Sequence, residues 1–179
     1  LGSPGKLQET VVLGSAGAKL ALIEVSGVIA EADSRTRIGL SERPGLIVET
    51  RNALDRAAAD EDVVGILLRI NSPGGSVSAS DTLHHEIESW KSEHKHPVVA
   101  YLNGIATSGG YYVAMASDRV IAHPSSVTGS IGVIMQSADV TGLLERIGVK
   151  PETIKSAPLK GTPSPLEPLT PAAREAAEI

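Results

Sequence analysis

A serine at position 108 stands where a strand-like segment turns into a helix-like one. Residues 97–102 are mostly aliphatic, residues 103–110 (Asn-Gly-Ile-Ala-Thr-Ser-Gly-Gly) are small, and residues 111–116 are compatible with a helix. Such a turn exposes the hydroxyl beside backbone N–H groups that favour developing negative charge, as an acyl-transfer nucleophile requires. Ser108 is therefore a candidate nucleophile. The alternative is that Ser108 only caps the helix and the glycines only allow close backbone packing.

Glycines near such a serine could stabilise the oxyanion that its attack creates. Small residues follow three strand-like segments, at residues 74–75, 108–110 and 129–132. Because ligands of α/β sheets bind outside the carboxyl ends of the strands, we expect these turns to converge. The N–H groups of Gly75 and Gly109 are the predicted oxyanion donors. An ordinary strand-to-helix connector is the alternative for the first turn, and no phosphate-loop motif is present.

A nucleophilic serine needs a base, and histidine is the most frequent one. Four of the five histidines, His84, His85, His94 and His96, lie on or just after a helix-like segment and mostly face away from its apolar stripe, which favours a solvated role. Their spacing differs from the i, i+4 spacing of a helical zinc pair. His123, which follows a strand-like segment, is the histidine that stays a candidate base.

Four runs of sequence together resemble the signal peptide peptidase A family of serine proteases. They are NSPGGSV at residues 71–77, NGIATSGGYYVAMASDRVIAHPSS at 103–126, TGSIGV at 128–133 and SAPLKGTPSP at 156–165. The resemblance implies a ClpP/crotonase-like fold of repeated β-β-α units and a Ser–Lys dyad. It implies that Ser108 is the nucleophile, Lys160 the general base, and Ser130 the residue that orients the lysine amine. The same resemblance assigns the oxyanion donors to Gly75 and Gly109.

The residues around Lys160 agree with that implied role. A lysine, whose ordinary pKa is about 10.4, acts as a base near neutral pH only where an apolar, acid-free environment favours its neutral form. No carboxylate lies between Glu152 and Glu167, and the neighbours of Lys160 are small or apolar. Lys155 is less apt because it ends a strand-like run near Glu152. The alternative for Lys160 is a solvated loop lysine.

Composition excludes several classes of function. The 179 residues carry a formal net charge of −5 with no basic run, so we expect no nucleic-acid partner. The chain has no cysteine, which excludes a thiolate nucleophile and a cysteine zinc site. We expect neither a metal nor an organic cofactor. No apolar run approaches the roughly 18 residues of a membrane span.

Strand-like and helix-like segments alternate along the chain, which predicts an α/β fold. The predicted strands are residues 19–25, 63–70, 97–102, 119–122 and 149–154, and residues 127–135 are strand-like but interrupted by Gly129 and Gly132. The predicted helices are residues 44–60, a helix that begins at Ser78, and residues 111–116, 139–147 and 171–179. Residues 34–44 are predicted to form a surface loop. The apolar faces of the first two helices are expected at Ile47, Leu54 and Ala58 and at Leu83, Ile87 and Trp90.

The resemblance covers residues 19–174 and also predicts the organisation of the protein. We expect residues 1–18 to be a linker, native or introduced by cloning, and residues 19–179 to form a single peptidase domain truncated at both ends relative to the family. Family members carry a membrane anchor before this domain. We therefore expect a bacterial membrane-associated protein whose catalytic domain lies on the extracytoplasmic side. The resemblance also implies a homo-oligomeric ring, with the dyad inside one chain or shared between neighbours.

The function implied is a serine endopeptidase that hydrolyses released signal peptides and other apolar peptides near the membrane. Three alternatives stay open at this point. A peptidase with a Ser–His pair would use His123 as its base. The crotonase fold also hosts acyl-CoA hydratases and isomerases, which use oxyanion donors without a nucleophilic serine. A non-catalytic peptide-binding or scaffold domain would need none of these residues.

Overall fold

The computed structural model describes residues 10–14, 17–31 and 45–178. The chain divides into two compact units, Leu1–Val133 and Ile134–Ile179. The predicted surface loop at residues 34–44 lies outside the described residues, as does most of the predicted linker at residues 1–18. That residues 19–179 form one peptidase domain stays a prediction.

The first unit alternates strands and helices around a parallel sheet. Its elements are β1 (Lys19–Ser26), α1 (Leu46–Ala59), β2 (Val63–Ser72), α2 (Val77–His94), β3 (Val98–Thr107), α3 (Gly109–Ala114), β4 (Arg119–Ala122) and β5 (Val127–Gly129). The strands lie in the order β1-β2-β3-β4, and β5 pairs with the end of β3 beyond its contact with β4. Every one of these pairings is parallel. The predicted α/β fold is confirmed.

The core lies between the sheet and the helices that connect its strands. The aliphatic strand β2 lies between β1 and β3, and its residues Ile66, Leu68 and Ile70 are almost fully buried. Helix α2 buries its predicted stripe, Leu83, Ile87 and Trp90. The Trp90 indole also donates a hydrogen bond of 2.9 Å to the backbone carbonyl of Leu54 on α1, which fixes these two helices to each other.

The apolar stripe of α1 differs from the predicted one. The helix buries Thr50, Leu54 and Ala57, whereas Ala58 is exposed and Ile47 is half-buried. The expectation at Ala58 is therefore wrong by one position. The buried set follows the i, i+4, i+7 spacing from Thr50, and this threonine could not be recognised from apolarity alone.

Strand β3 is longer than predicted, and its extra length carries the chain to the candidate nucleophile. Ile70 pairs with Leu102 but Ser72 pairs with Ala106, so β3 contains a bulge between these pairs. Gly104 adopts a φ of +90° within the bulge, which a side chain would disfavour. The carboxamide oxygen of Asn71 accepts a 3.2 Å hydrogen bond from the N–H of Ile105. Pairing then resumes up to Thr107.

The strand-like run at residues 127–135 forms a strand only up to the first of its two interrupting glycines, and the strand predicted at residues 149–154 is wrong. The strand expected at residues 127–135 ends at Gly129, because Gly129 and Ser130 adopt φ values of +84° and +52° that break the extended backbone. Residues 149–154 are irregular, and the Ile154 side chain is 94% exposed. A proline at position 151, within this segment, removes one backbone donor that a strand would use.

The second unit consists of two short helices and irregular chain between them. These helices are α4 (Thr141–Arg146) and α5 (Pro171–Glu175), and both lie within predicted helical segments. The hydroxyl of Thr170 caps α5 by accepting a 3.2 Å hydrogen bond from the N–H of Ala173, which is buried. The irregular segment contains Lys160. Among the residues that the structure describes, no helix has the length and apolarity needed to cross a membrane.

Candidate active site

Ser108 lies at a sharp turn between β3 and α3. Its backbone has φ +50° and ψ −122°, a strained conformation for any residue other than glycine. The N–H of Ser108 donates to the Gly129 carbonyl at 2.8 Å, and the Ser108 carbonyl accepts from the N–H of Tyr112 at 2.9 Å. The hydroxyl makes no capping hydrogen bond to α3. The turn is thus fixed through its backbone, and the hydroxyl is not used as a helix cap.

The glycine turn after β2 packs directly against this serine. A Cβ placed on Gly74 would lie 2.6 Å from the amide nitrogen of Gly109 and 3.0 Å from the Cβ of Ser108. A Cβ on Gly109 would lie 2.1 Å from the hydroxyl oxygen of Ser80. Only glycines permit backbones to approach this closely. The turns after β2 and β3 therefore pack against each other, as the sequence predicts, and the Gly129 carbonyl at the end of β5 is bonded to the second of them.

The backbone N–H of Gly75 has no protein acceptor in the part of the chain that the structure describes. An isolated parallel bridge joins Gly75 to Ile29. In this bridge the N–H of Ile29 donates to the Gly74 carbonyl and the N–H of Ser76 donates to the Ile29 carbonyl, each at 2.9 Å. The N–H of Gly75 takes no part in the bridge. Among the described residues, neither this group nor the N–H of Gly109 donates to a protein acceptor, so both stay candidate donors to an oxyanion.

Ser130 follows β5, next to the residue that bonds the nucleophile. The carbonyl of Gly129 accepts the N–H of Ser108, and Ser130 itself adopts a φ of +52° with an exposed side chain. Within the first unit, the structure therefore brings together Ser108, Gly109, the Gly74–Gly75 turn and the backbone leading to Ser130.

The Nδ1 atom of His123 is hydrogen-bonded to Ser125. This atom accepts the N–H of Ser125 at 3.2 Å and lies 2.7 Å from the Ser125 hydroxyl oxygen. The hydrogen bonds of the described residues include none between His123 and Ser108. The geometry therefore gives no support to His123 as the base.

Lys160 belongs to the second unit, where it lies in a tight turn. Its N–H donates to the Ala157 carbonyl at 3.1 Å, the next residue Gly161 has a φ of +78°, and the lysine side chain is exposed in this chain. Lys155 differs because its ammonium group is hydrogen-bonded to the carboxylate of Glu167.

The ion pair between Lys155 and Glu167 distinguishes Lys155 from Lys160 as a candidate base. The hydrogen bond from Lys155, with a second one from Thr153, holds the pKa of Glu167 below its usual value. The Lys155 ammonium group is therefore engaged by a carboxylate, whereas Lys160 forms no ion pair among the residues that the structure describes. Of these two lysines, Lys160 is therefore the better candidate base.

One side-chain cluster near α3 was not predicted. The Tyr112 hydroxyl donates to the Asp81 carboxylate at 2.8 Å, and this bond raises the pKa of Tyr112 above its usual value. The ring of His84 stacks on Tyr112 with 4.6 Å between centroids. The prediction of a solvated face is therefore wrong for His84. Asp81 and His84 lie on one face of α2 at i, i+3 spacing, a signal that the sequence contained.

Comparisons with known proteins relate the chain to a family of peptidases. The model of peptidase family S49 matches residues 91–178. A chloroplastic serine protease SPPA of Arabidopsis thaliana is 36% identical over 157 residues, which cover 84% of this chain and 22% of that protein. Protease 4 of Salmonella typhi is 34% identical over 145 residues, with 80% and 22% covered. The chain belongs to peptidase family S49. It spans less than a quarter of the length of these two relatives.

A solved structure supports the fold assignment of this S49 chain. A mutant of the 1510-N membrane-bound stomatin-specific protease superposes with a TM-score of 0.50 and 19% sequence identity. The superposition covers 70% of this chain and 53% of that one. At this identity the likeness concerns the fold alone, which matches the α/β architecture described above.

Proposed function

We propose that this chain carries the catalytic centre of a serine endopeptidase that uses a Ser–Lys dyad. The observation that supports it best is the turn at Ser108, whose hydroxyl is not used for capping and which packs against a glycine turn with a free N–H group. A binding module needs no strained serine there, and strain of this kind concentrates at functional sites. Membership of family S49 supports the same conclusion.

The proposed reaction begins when the Ser108 hydroxyl oxygen attacks the scissile carbonyl carbon. The neutral amine of Lys160 accepts the hydroxyl proton as the new C–O bond forms. The N–H groups of Gly75 and Gly109 donate to the resulting oxyanion, and Ser130 orients the lysine amine. The C–N bond then breaks, and Lys160 returns the proton to the leaving amine. A water molecule, deprotonated by the same lysine, releases the acyl group from Ser108 and restores the enzyme.

A lysine base is favoured over the histidine base by the contacts around each candidate. His123 directs Nδ1 to Ser125, and Lys155 is held by Glu167. Lys160 has no ion pair among the described residues and lies in a segment of small and apolar neighbours. We propose that assembly of the protein covers this amine and thereby favours its neutral form. The lysine then serves a serine of its own chain or of a neighbouring protomer.

The proposed substrates are apolar peptides, among them released signal peptides. Aliphatic side chains along β4, β5 and the turn after β5 are exposed, with Ile121 at 54%, Val127 at 61% and Ile131 at 81%. An extended apolar peptide would cover part of such a surface, and a second copy of the chain would cover the rest. We further propose that the protein forms a ring at the extracytoplasmic side of a bacterial membrane.

The test is covalent labelling of the intact protein with a fluorophosphonate, followed by mass spectrometry of the labelled peptide. The label should lie on Ser108, and Ser108→Ala should abolish both labelling and peptide hydrolysis. Lys160→Ala should lower both rates by about 10²–10⁴, the usual contribution of a general base. Lys150→Ala, at another exposed lysine of the second unit, should leave both rates unchanged.

Three results would reject parts of this proposal. Wild-type rates in Lys160→Ala would exclude the dyad. Turnover of a CoA ester without labelling of Ser108 would favour the hydratase alternative. A folded wild-type protein that neither reacts with the label nor cleaves any peptide would favour the scaffold alternative.

A further inference from the structure

Ser72, the last residue of β2, has a fully buried side chain that bonds two backbone groups of different segments. Its hydroxyl donates to the Gly27 carbonyl, just after β1, at 2.6 Å. The same oxygen accepts the N–H of Gly74 at 3.1 Å. Ser72 is 0% exposed; its bond with the Gly74 N–H is buried, and its bond with the Gly27 carbonyl is partly buried. One hydroxyl therefore joins the end of β1 to the glycine turn.

Ile29 holds the same turn from its other side. It is completely buried, and its backbone engages the Gly74 carbonyl and the Ser76 N–H. With the bond from Ser72, three polar groups that flank the Gly75 N–H are bonded: the N–H and carbonyl of Gly74 and the N–H of Ser76. The N–H of Gly75 stays unbonded between them. Its direction is set by these three bonds.

Ser72 also fixes the distance between the turn and the helix that follows the nucleophile. A Cβ on Gly110 would lie 2.6 Å from the Ser72 carbonyl oxygen and 3.2 Å from the Ser72 Cβ. Ser72 pairs with Ala106 on β3, two residues before Ser108. Ser72 therefore contacts the neighbour of each proposed oxyanion donor: Gly74 before Gly75, and Gly110 after Gly109.

We propose that Ser72 is a positioning residue for the oxyanion hole, because its hydroxyl holds the Gly74–Gly75 turn in the orientation that presents the Gly75 N–H. This inference rests on the proposed function. Removing the hydroxyl leaves the buried Gly74 N–H without a partner and breaks the link to the Gly27 carbonyl, which is unfavourable enough for the turn to rearrange toward other partners. A donor displaced in this way stabilises the transition state less, while peptide binding elsewhere is unaffected.

The test is Ser72→Ala in the intact protein, with kcat and KM measured on an apolar fluorogenic peptide. The kcat should fall by about 10–100-fold, because a displacement near 1 Å costs about 10² in rate and a lost donor about 10²–10³. The KM should change by less than about threefold. Fluorophosphonate labelling of Ser108 should slow in parallel. Ser72→Cys, whose thiol has a similar shape and forms weaker hydrogen bonds, should show the same pattern with a smaller fall in kcat.

Ser126→Ala is the matched control. It also removes a serine hydroxyl, one that donates to the Leu102 carbonyl at 2.8 Å, away from the glycine turn. Its kcat should stay within about twofold of the wild type, since a general loss of stability should leave the turn in place. Wild-type kcat in Ser72→Ala, equal losses in Ser72→Ala and Ser126→Ala, or a loss confined to KM would each overturn the proposal. An inactive wild type would instead reject the proposed function itself.

Discussion

Gly75→Ala tests the oxyanion assignment most severely, because the structure leaves no space for the added methyl group. A Cβ at position 75 would lie 1.8 Å from the carbonyl oxygen of Ile29 and 2.6 Å and 2.7 Å from its carbonyl carbon and amide nitrogen. All three atoms belong to the backbone, so no side-chain rotation relieves the clash. Reaching the 3.0 Å below which real Cβ contacts essentially do not occur requires a movement of at least 1.2 Å.

This movement sets the expected loss of activity. A misplacement of about 1 Å costs about 10² in rate, and complete loss of one oxyanion donor costs about 10²–10³. We therefore expect kcat of Gly75→Ala to fall by about 10²–10³ while KM changes little. The crowding should also destabilise the fold by about 1–3 kcal/mol, as overpacking does elsewhere.

The assay is hydrolysis of an apolar fluorogenic peptide by the intact protein, with thermal unfolding followed by circular dichroism. Gly142→Ala is the control, because no atom lies within 4 Å of its Cβ position and its φ is ordinary for an L residue. Located in α4, it should leave kcat unchanged and stabilise the protein by about 0.4–1 kcal/mol. If Gly75→Ala keeps the wild-type kcat, the Gly75 N–H does not contact the oxyanion and the reasoning fails.

Three further predictions concern stability, pH and the rival base. Trp90→Ala should lower the free energy of unfolding by about 3–5 kcal/mol in urea titrations, and a change below 1 kcal/mol would contradict the packing described. The hydrogen bond from the Val98 N–H lowers the pKa of Asp118 in the folded state. The Asp118 carboxylate therefore stabilises the fold at pH values above its unfolded pKa of about 3.9. This stabilisation is lost as the pH falls through the folded pKa. Asp118→Asn should therefore unfold with a weaker acid dependence than the wild type, and identical acid dependence would refute this. His123→Ala should keep kcat within about twofold of the wild type, whereas a fall of about 10²–10⁴ would make His123 the base.

The elements that the sequence predicted well are those defined by local periodicity. The i, i+4, i+7 stripe of α2 and the aliphatic run of β2 could each be recognised from the residues of that element alone. Both are buried as expected. The convergence of the glycine turns followed from a general rule of parallel sheets, so it too was predictable.

The features that were missed depend on atoms far apart in the sequence. The extension of β3 requires the Asn71 carboxamide to bond the Ile105 N–H, 34 residues away. The partner of the Ser72 hydroxyl lies 45 residues away at Gly27. Thr50 faces the core although it is polar, so a search for apolar residues overlooked it. The predicted stripe of α1 was therefore displaced by one position, to Ala58 instead of Ala57. Neither composition nor spacing reveals which distant backbone group a serine or asparagine will bond.

The most direct test of the dyad is the distance between the Ser108 hydroxyl oxygen and the Lys160 amine nitrogen in an experimental structure of the intact assembly. We predict that the two atoms lie within about 2.6–3.2 Å, in one chain or across two protomers, with the Ser130 hydroxyl also in contact with the amine. A structure in which every Lys160 amine points into water while a different side chain bonds the Ser108 hydroxyl would contradict the account.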